Sequence, residues 1–110
     1  MKFHIPLSES QSKLSQSSAE FINLFQHGSL AVELYQPDQI DKQKPHTRDE
    51  VYVVVAGQGT FFYDGIRKEF KTGDVIFVPA QIEHRFEKFS DDFMTWVFFY
   101  GPEGGESNPE

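Results

Sequence analysis

The chain of 110 residues contains no cysteine. It can therefore form no disulfide bridge, and it has neither a thiolate nucleophile nor the cysteine ligands of a zinc finger. Basic residues are also few, since 10 Lys and Arg stand against 17 Asp and Glu, which gives a formal net charge of −7. Because binding to nucleic-acid phosphates requires a basic surface, we expect no nucleic-acid partner.

Long apolar runs are missing as well. No stretch approaches the ~20 apolar residues that cross a bilayer, and residues 1–6 show no signal-peptide pattern. We therefore expect no membrane partner and a soluble, cytoplasmic protein. The sequence contains neither a Ser-His-Asp arrangement nor a phosphate-binding loop, so neither of these motifs indicates another class of enzyme.

Aromatic and β-branched residues are abundant, and they occur in short segments. The chain has 12 Phe and is 15% aromatic, which suits a small barrel better than a helix bundle. The segments are separated by Gly, Pro and Asp turns, with a strong hairpin signal at Asp64-Gly65. The pattern predicts an all-β fold, a double-sheet barrel or jelly roll in a single domain.

One helix is expected near the amino terminus. Phe21, Leu24 and Phe25 recur at helical spacing, a serine can cap the start, and Gly28 suits the carboxyl end. The sequence therefore predicts a short helix over residues 18–27, acting as a lid or brace against the barrel.

The composition also divides the chain into three parts. Residues 1–28 form an N-terminal segment with the short helix, residues 29–101 form the barrel, and residues 102–110 form a polar tail. Because the tail is polar and rich in glycine, we expect it to be mobile.

Residues 45–57 form the stretch around which the pattern is organised. It begins polar, becomes an unbroken β-branched and aromatic run, and stops at Gly57, which predicts a central strand. Side chains two or four apart on a strand share a face, so His46, Glu50 and Tyr52 should point the same way. Burying an imidazole and a carboxylate unpaired is costly, so they form either half of a metal site or a hydrogen-bonded pair.

Together with residues 73–86, this stretch resembles the two paired motifs of the cupin superfamily. Six residues fall on the family's motif positions in register: His46, Glu50, Gly57, Gly73, Pro79 and His84. The resemblance covers most of residues 29–101, and it implies a cupin double-stranded β-helix, the jelly-roll barrel of small single-domain cupins.

The resemblance also implies a mononuclear metal site. His46, Glu50 and His84 would hold one divalent ion, for which iron, manganese, nickel and zinc all suit the ligands. Lys44 stands where the family has its first histidine, and an ammonium group is not a normal metal ligand. Gln43 could supply a weak oxygen ligand instead, or water could fill the position.

Other interpretations of the same residues stay open. Tyr52 is a candidate catalytic residue because its phenol could donate a proton to a substrate, although cross-strand aromatic packing explains it equally well. Asp49 is one residue out of phase with Glu50 and is expected to be solvated. The alternative for the metal site is two ordinary polar histidines, with Glu50 bonded to Arg48 or Arg85.

By resemblance, the function implied is that of a metal-binding cupin that acts on a small polar organic molecule, as a dioxygenase- or isomerase-like enzyme if it is catalytic. A second interpretation is a non-catalytic module that binds a sugar or another small ligand beside a degenerate metal site. A third is a purely structural dimer. Fold does not decide between these functions, because one fold hosts many chemistries.

A homodimer is the expected assembly. The 12 Phe exceed what the interior of one small barrel can hold, since alternation turns about half of each strand's side chains outward. Phe61-Phe62, Phe98-Phe99 and the alternate valines of residues 51–55 put apolar groups on outer faces, which a single short helix covers only in part. A second copy paired across a two-fold axis would cover the remainder.

Overall fold

The computed structural model describes residues 3–107. Within them one helix is followed by eight strands: α1 (Leu7–Gln16), β1 (Phe21–His27), β2 (Leu30–Tyr35), β3 (Asp49–Ala56), β4 (Gln58–Tyr63), β5 (Ile66–Lys71), β6 (Val75–Val78), β7 (His84–Glu87) and β8 (Met94–Tyr100). The expected all-β fold with one short helix is confirmed. The division of the chain at residues 28 and 101 stays a prediction.

The strands form two antiparallel sheets that enclose the core. One sheet has five strands in the order β1-β2-β8-β3-β6, and the other has three in the order β5-β4-β7. The core between them is largely aromatic and consists of Tyr52, Val54, Phe61, Phe70, Val78, Phe86, Phe93 and Val97. Since β8 pairs with both β2 and β3, the last strand of the chain joins the two halves of the larger sheet.

Strand β3 shows how alternation produces this arrangement. Glu50, Tyr52 and Val54 are buried on the inner face of the five-stranded sheet. Val51 and Val53 are half-buried and lie on the opposite face. The predicted separation of the polar-aromatic face from the valine face is therefore confirmed.

The hairpin predicted at Asp64-Gly65 is also confirmed. These two residues join β4 to β5, with Tyr63 opposite Ile66, and their φ angles are 46° and 86°. Two consecutive positive φ angles match the right-handed twist of a tight hairpin, which is why glycine follows a short polar residue there.

The helix predicted over residues 18–27 is wrong. Residues Phe21–His27 form β1, which pairs with β2, and the helix lies earlier, at Leu7–Gln16. The register of β1 shifts between Asn23 and Phe25, which marks a β-bulge. A bulge inserts one extra residue, so the apolar side chains lose their strict alternation and acquire a spacing that resembles that of a helix.

Helix α1 packs on the outer face of the five-stranded sheet. Leu7 and Leu14 are seven residues apart and so lie on the same side of the helix. They pack in a cluster with Leu34, Met94 and Trp96. The helix has 10 residues, and no helix in the described part of the chain is long and apolar enough to cross a membrane.

The β6 end of this outer face stays exposed. Phe98 lies opposite Val51, which in turn lies opposite Phe77, so one apolar row crosses β8, β3 and β6. At the end of the sheet Val75 and Phe77 are 68% and 49% exposed. The helix therefore covers only one part of an outer face that is apolar across several strands.

The three-stranded sheet covers its outward phenylalanine differently. Phe62 is buried because Arg67 and Arg85 lie over its ring, at 4.7 Å and 4.2 Å from the centroid. Both guanidinium groups also donate to Glu87, each at 2.9 Å. Stacked arginines held by a shared carboxylate therefore shield this face within a single chain.

Asp49 is not the solvated carboxylate that the sequence predicted. It is 4% exposed and accepts hydrogen bonds from the backbone amides of Ala80 at 2.9 Å and Glu106 at 2.8 Å. At Glu106 the tail of residues 102–110 is therefore bound to the barrel, in contrast to the expected mobility. Residues 108–110 lie outside the described residues.

The turn after β3 generates a stability prediction. Gly57 has a φ of 93°, and a Cβ atom there would lie 2.6 Å from Cα of Phe93 and 2.8 Å from Oγ of Ser90. We expect Gly57→Ala to lower the free energy of unfolding by about 3 kcal/mol, because backbone strain and overpacking add. Urea denaturation followed by circular dichroism measures the loss.

Gly65→Ala is the matched control. Gly65 has a φ of 86°, but nothing lies within 4 Å of an added Cβ. We expect a loss of only about 1 kcal/mol, from the unfavourable φ alone. Equal losses in the two variants would show that conformation, and not the close approach of Phe93, requires glycine at position 57.

Candidate metal centre

The three residues that the cupin motifs single out lie together in the structure. Ligand atoms of His46, Glu50 and His84 all fall within 4.8 Å of one another. Glu50 is supplied by β3 of the larger sheet and His84 by β7 of the smaller one. His46 lies in the loop before β3, since the central strand begins only at Asp49 and not at the predicted residue 45. The cluster therefore bridges the two sheets.

Glu50 and His84 approach each other closely in a fully buried position. Nε2 of His84 lies 2.8 Å from Oε1 of Glu50, and the side chains are 0% and 1% exposed. Nδ1 of His84 lies 2.8 Å from the carbonyl of Ile82 and donates to it, because a carbonyl can only accept. In neutral His84, Nε2 is therefore a second acceptor that faces a carboxylate.

These facing atoms have no satisfactory partner among the described residues. Both carboxylate oxygens of Glu50 and Nε2 of His84 are buried without a hydrogen bond of suitable geometry. Leaving buried polar atoms unpaired costs free energy, and two acceptors at this separation repel each other. A positive charge between them, either a proton or a metal ion, would remove both penalties.

The two histidines differ in their electrostatic surroundings. Burial lowers the pKa of His84, but contacts with Glu50 and the Ile82 carbonyl raise it, and the net shift is upward. Burial also lowers the pKa of His46, and here burial prevails over the nearby carboxylate of Glu50. His46 is therefore neutral near neutral pH and carries one ring nitrogen with a free lone pair.

Gln43 extends the ring of polar atoms at the site. Its Oε1 lies 3.0 Å from Nε2 of His46 and accepts a hydrogen bond from the Tyr52 hydroxyl at 2.9 Å. Lys44, which holds the position of the family's first histidine, is exposed. Of the two replacements that the sequence leaves open, the structure thus brings the Gln43 side chain to the cluster.

Asp41 positions Gln43 and is a residue that sequence reasoning missed. It is buried and accepts hydrogen bonds from the Tyr35 hydroxyl at 2.7 Å, Nε2 of Gln43 at 2.6 Å and the Phe86 amide at 2.8 Å. The sequence carries no signal for this role, because a single acid in a polar loop belongs to no periodic pattern.

Tyr52 packs in the core and also reaches the site with its hydroxyl, and its catalytic role stays a prediction. Its ring packs in the core, with its centroid 4.8 Å from that of Phe86, and its hydroxyl donates to Gln43 at the site. Burial raises the pKa of Tyr52 well above its usual value of 10.0. The phenol therefore stays protonated and is suited to donate a hydrogen bond.

The arginine alternative for Glu50 does not hold in this structure. Arg48 donates to the carbonyl of Ser29, and Arg85 forms salt bridges with Glu83 and Glu87. Neither arginine forms a salt bridge with Glu50 within residues 3–107.

The cluster adjoins a pocket of about 390 Å³ on the inner face of the five-stranded sheet. Its walls combine aromatic and ionisable side chains: Glu20, Phe21, Glu33, Tyr35, Lys42, Gln43, His46, Glu50, Tyr52, Val97 and Phe99. The volume lies in the range of small-molecule sites. Because His46 and Glu50 line the pocket, a bound molecule would meet the cluster directly.

Comparison with known proteins agrees with this fold. Residues 31–100 match the family model described as a cupin domain. An uncharacterized protein of Streptomyces coelicolor is 31% identical over 99 residues, a match that covers 88% of this chain and 94% of that protein.

Solved structures show the same architecture. Protein NMB1881 from Neisseria meningitidis superposes with a TM-score of 0.72 at 17% identity and covers 90% of this chain and 100% of its own. The DMSP lyase DddQ from Ruegeria pomeroyi superposes with a TM-score of 0.63 at 24% identity and covers 74% of this chain. This chain spans only 46% of the lyase, and such identities show a common fold alone.

The hydrogen bonds of Asp41 generate a second prediction. Asp41→Ala removes the acceptor of four buried or half-buried donors, the three named above and the Gln43 backbone amide at 3.1 Å. We therefore expect the free energy of unfolding to fall by about 3 kcal/mol. Asp38→Ala makes the same change three residues earlier at an exposed position, and we expect it to cost less than about 0.5 kcal/mol. Urea denaturation measures both, and equally small losses would contradict a structural role for Asp41.

Proposed function

The chain belongs to the cupin domain family, and on that premise we propose that it binds one divalent metal ion through His46, Glu50 and His84, with a small polar organic molecule beside it. The observation that carries the proposal is the buried pair of acceptors, Nε2 of His84 and Oε1 of Glu50, 2.8 Å apart. Both atoms carry lone pairs, and a divalent ion can accept a lone pair from each of them at once.

The spacing of the polar atoms supports the proposal. Two ligands about 2.1 Å from one ion, at right angles, are about 3 Å apart. The distances between neighbouring atoms are 2.8 Å for His84 and Glu50, 3.6 Å for His46 and Glu50, and 3.0 Å for Gln43 and His46. We assign Gln43 as the fourth, weak oxygen ligand, in place of the family's first histidine.

The metal and the residues around the cluster would have different roles toward a bound molecule. A bound metal would act as a Lewis acid toward the small molecule. A ligand set of two imidazoles and one carboxylate suits iron, manganese, nickel or zinc. Tyr52 donates its one phenol proton to Gln43 and so would orient that weak ligand, and it would act on a bound molecule only by exchanging this hydrogen bond for one to that molecule. Val97 and Phe99 contribute apolar walls to the pocket. A dioxygenase-like and an isomerase-like reaction are both compatible with this set of residues.

A second candidate function is a binding module for a sugar or another small ligand without catalysis. The upward pKa shift of His84 favours it, since a proton held by His84 would compensate Glu50 as a metal ion would. Tyr35 and Phe99 offer aromatic walls for stacking in that case. The two candidates differ in whether the purified protein carries a metal.

Metal content provides the test. Protein without a histidine tag is loaded in turn with iron, manganese, nickel and zinc, dialysed and analysed by plasma mass spectrometry. Glu50→Gln and His84→Ala should each lose most of the metal, because each removes a ligand. Glu83→Gln makes the same chemical change beside His84 at an exposed position and should retain the metal. Wild-type protein that holds none of the four metals would overturn the proposal.

The assembly we propose is a homodimer formed through the outer face of the five-stranded sheet. Val75 and Phe77 are exposed there, and the apolar row from Phe98 through Val51 continues to them. β6 is also an edge strand, whose unpaired backbone groups can bind a second strand. A two-fold contact at this end would cover both features.

The dimer is tested by light scattering after gel filtration. Wild-type protein at micromolar concentration should have the mass of two chains. Phe77→Glu should yield the mass of one chain, because a carboxylate in an apolar contact lacks a partner. Ile40→Glu introduces the same charge at another exposed apolar residue, 63% exposed, and should leave the mass unchanged. A monomeric wild type would contradict the dimer.

A further inference from the structure

We propose that the pocket selects a small organic cation of the alkylammonium class, with Glu33 as its counter-charge. The inference deepens the function proposed above and rests on it for the place of the ligand. Glu33 belongs neither to the three-residue cluster nor to either cupin motif, and the metal site therefore does not explain its charge.

The register of the larger sheet places Glu33 on the pocket wall. Glu33 on β2 lies opposite Val97 on β8, and Val97 lies opposite Tyr52 on β3. Residues directly opposite each other in neighbouring strands point to the same face of a sheet. Glu33 therefore shares the inner face with Tyr52, and it lines the same pocket as Glu50.

Glu33 lacks a cationic partner within the described residues. No Lys, Arg or His forms a salt bridge with it in residues 3–107. Burial raises its pKa, Asn23 lowers it in part, and the charge of Glu50 raises it again. Burial and the charge of Glu50 thus destabilise the negative charge of Glu33 relative to water, and a cation in the pocket would stabilise it. A neutral sugar would supply hydrogen bonds but no charge.

The other residues of the pocket do not supply a positive charge that pairs with Glu33. A metal ion at the cluster would neutralise Glu50, but Glu33 is not a member of the cluster. Of the other lining residues, Glu20 and the exposed Lys42 carry opposite formal charges, and no salt bridge joins Lys42 to Glu33 within residues 3–107. The interior carboxylate of Glu33 therefore remains the negative group for a ligand to meet.

The other walls suit the same class of ligand. Phe21, Tyr35, Tyr52 and Phe99 contribute aromatic rings to the pocket, and the negative face of an aromatic ring attracts alkylammonium groups. Glu50 also indicates a ligand at this pocket, because it is 1% exposed, lines the pocket and has both oxygens without a hydrogen bond. Aromatic rings with a carboxylate form the usual recognition site for quaternary ammonium groups.

Choline is the probe for the test, and its carbon isostere is the comparison. In the isostere a tert-butyl group replaces the trimethylammonium group, so the shape is kept and the charge is lost. Calorimetric titration of the full chain should give an affinity for choline at least about tenfold above that for the isostere. Glu33→Gln should abolish this preference while leaving the affinity for the isostere unchanged.

The controls keep the inference separate from the metal proposal. Asp91→Asn removes the same charge from an exposed turn and should preserve the preference for choline. Each titration is made on zinc-loaded and on chelator-treated protein, and metal content is measured in the same samples. Equal affinity for choline and isostere, tighter binding of glucose than of choline, or no choline binding in either state overturns the inference. An unchanged preference in Glu33→Gln also overturns it.

The wild-type comparison decides the question even if a variant fails to fold, because choline and its isostere differ only in charge. Choline binding by wild-type protein that retains none of the four metals after loading would sustain this inference and overturn the metal proposal. Metal binding without choline binding would do the reverse.

Discussion

The contact between Glu50 and His84 constrains the rest of this structure. The two side chains come from opposite sheets, both are fully buried, and their facing atoms are 2.8 Å apart. An uncompensated carboxylate in a protein interior costs several kcal/mol, so a proton or a metal ion must accompany it in the folded state. A metal ion bound in that position would link metal occupancy to the stability of the fold, because it would bind the folded chain and not the unfolded one.

The loop before β3 supports this contact from one side. Asp41 accepts hydrogen bonds from both Gln43 and the amide of Phe86. One buried carboxylate therefore connects the loop to β7, the strand that carries His84. Motif spacing places Lys44 at the site, yet Lys44 is exposed and Gln43 points to His46. In an irregular loop a side chain's direction depends on its hydrogen bonds, so counting residues does not identify the one that faces inward.

At β2 the usual distribution of polar and apolar side chains is reversed, because the apolar side chain lies on the outer face of the larger sheet and the polar side chains lie on its inner face. Leu34 packs outside the barrel in the cluster beneath α1, whereas Glu33 and Tyr35 face the pocket. The interior at this end is therefore a pocket that adjoins the core. The outer face is apolar, and α1 covers only part of it.

Alternation, turn residues and paired motifs were sufficient to predict the all-β fold and to select Glu50 and His84, because these signals are local or depend on fixed spacing. The strand at residues 21–27 was mistaken for a helix, since a bulge breaks its periodicity and only pairing with β2 reveals it. The sequence left Gln43 open as a ligand and gave no sign of the anchoring role of Asp41. Both depend on contacts between distant segments, and such contacts exist only once the two sheets have packed together.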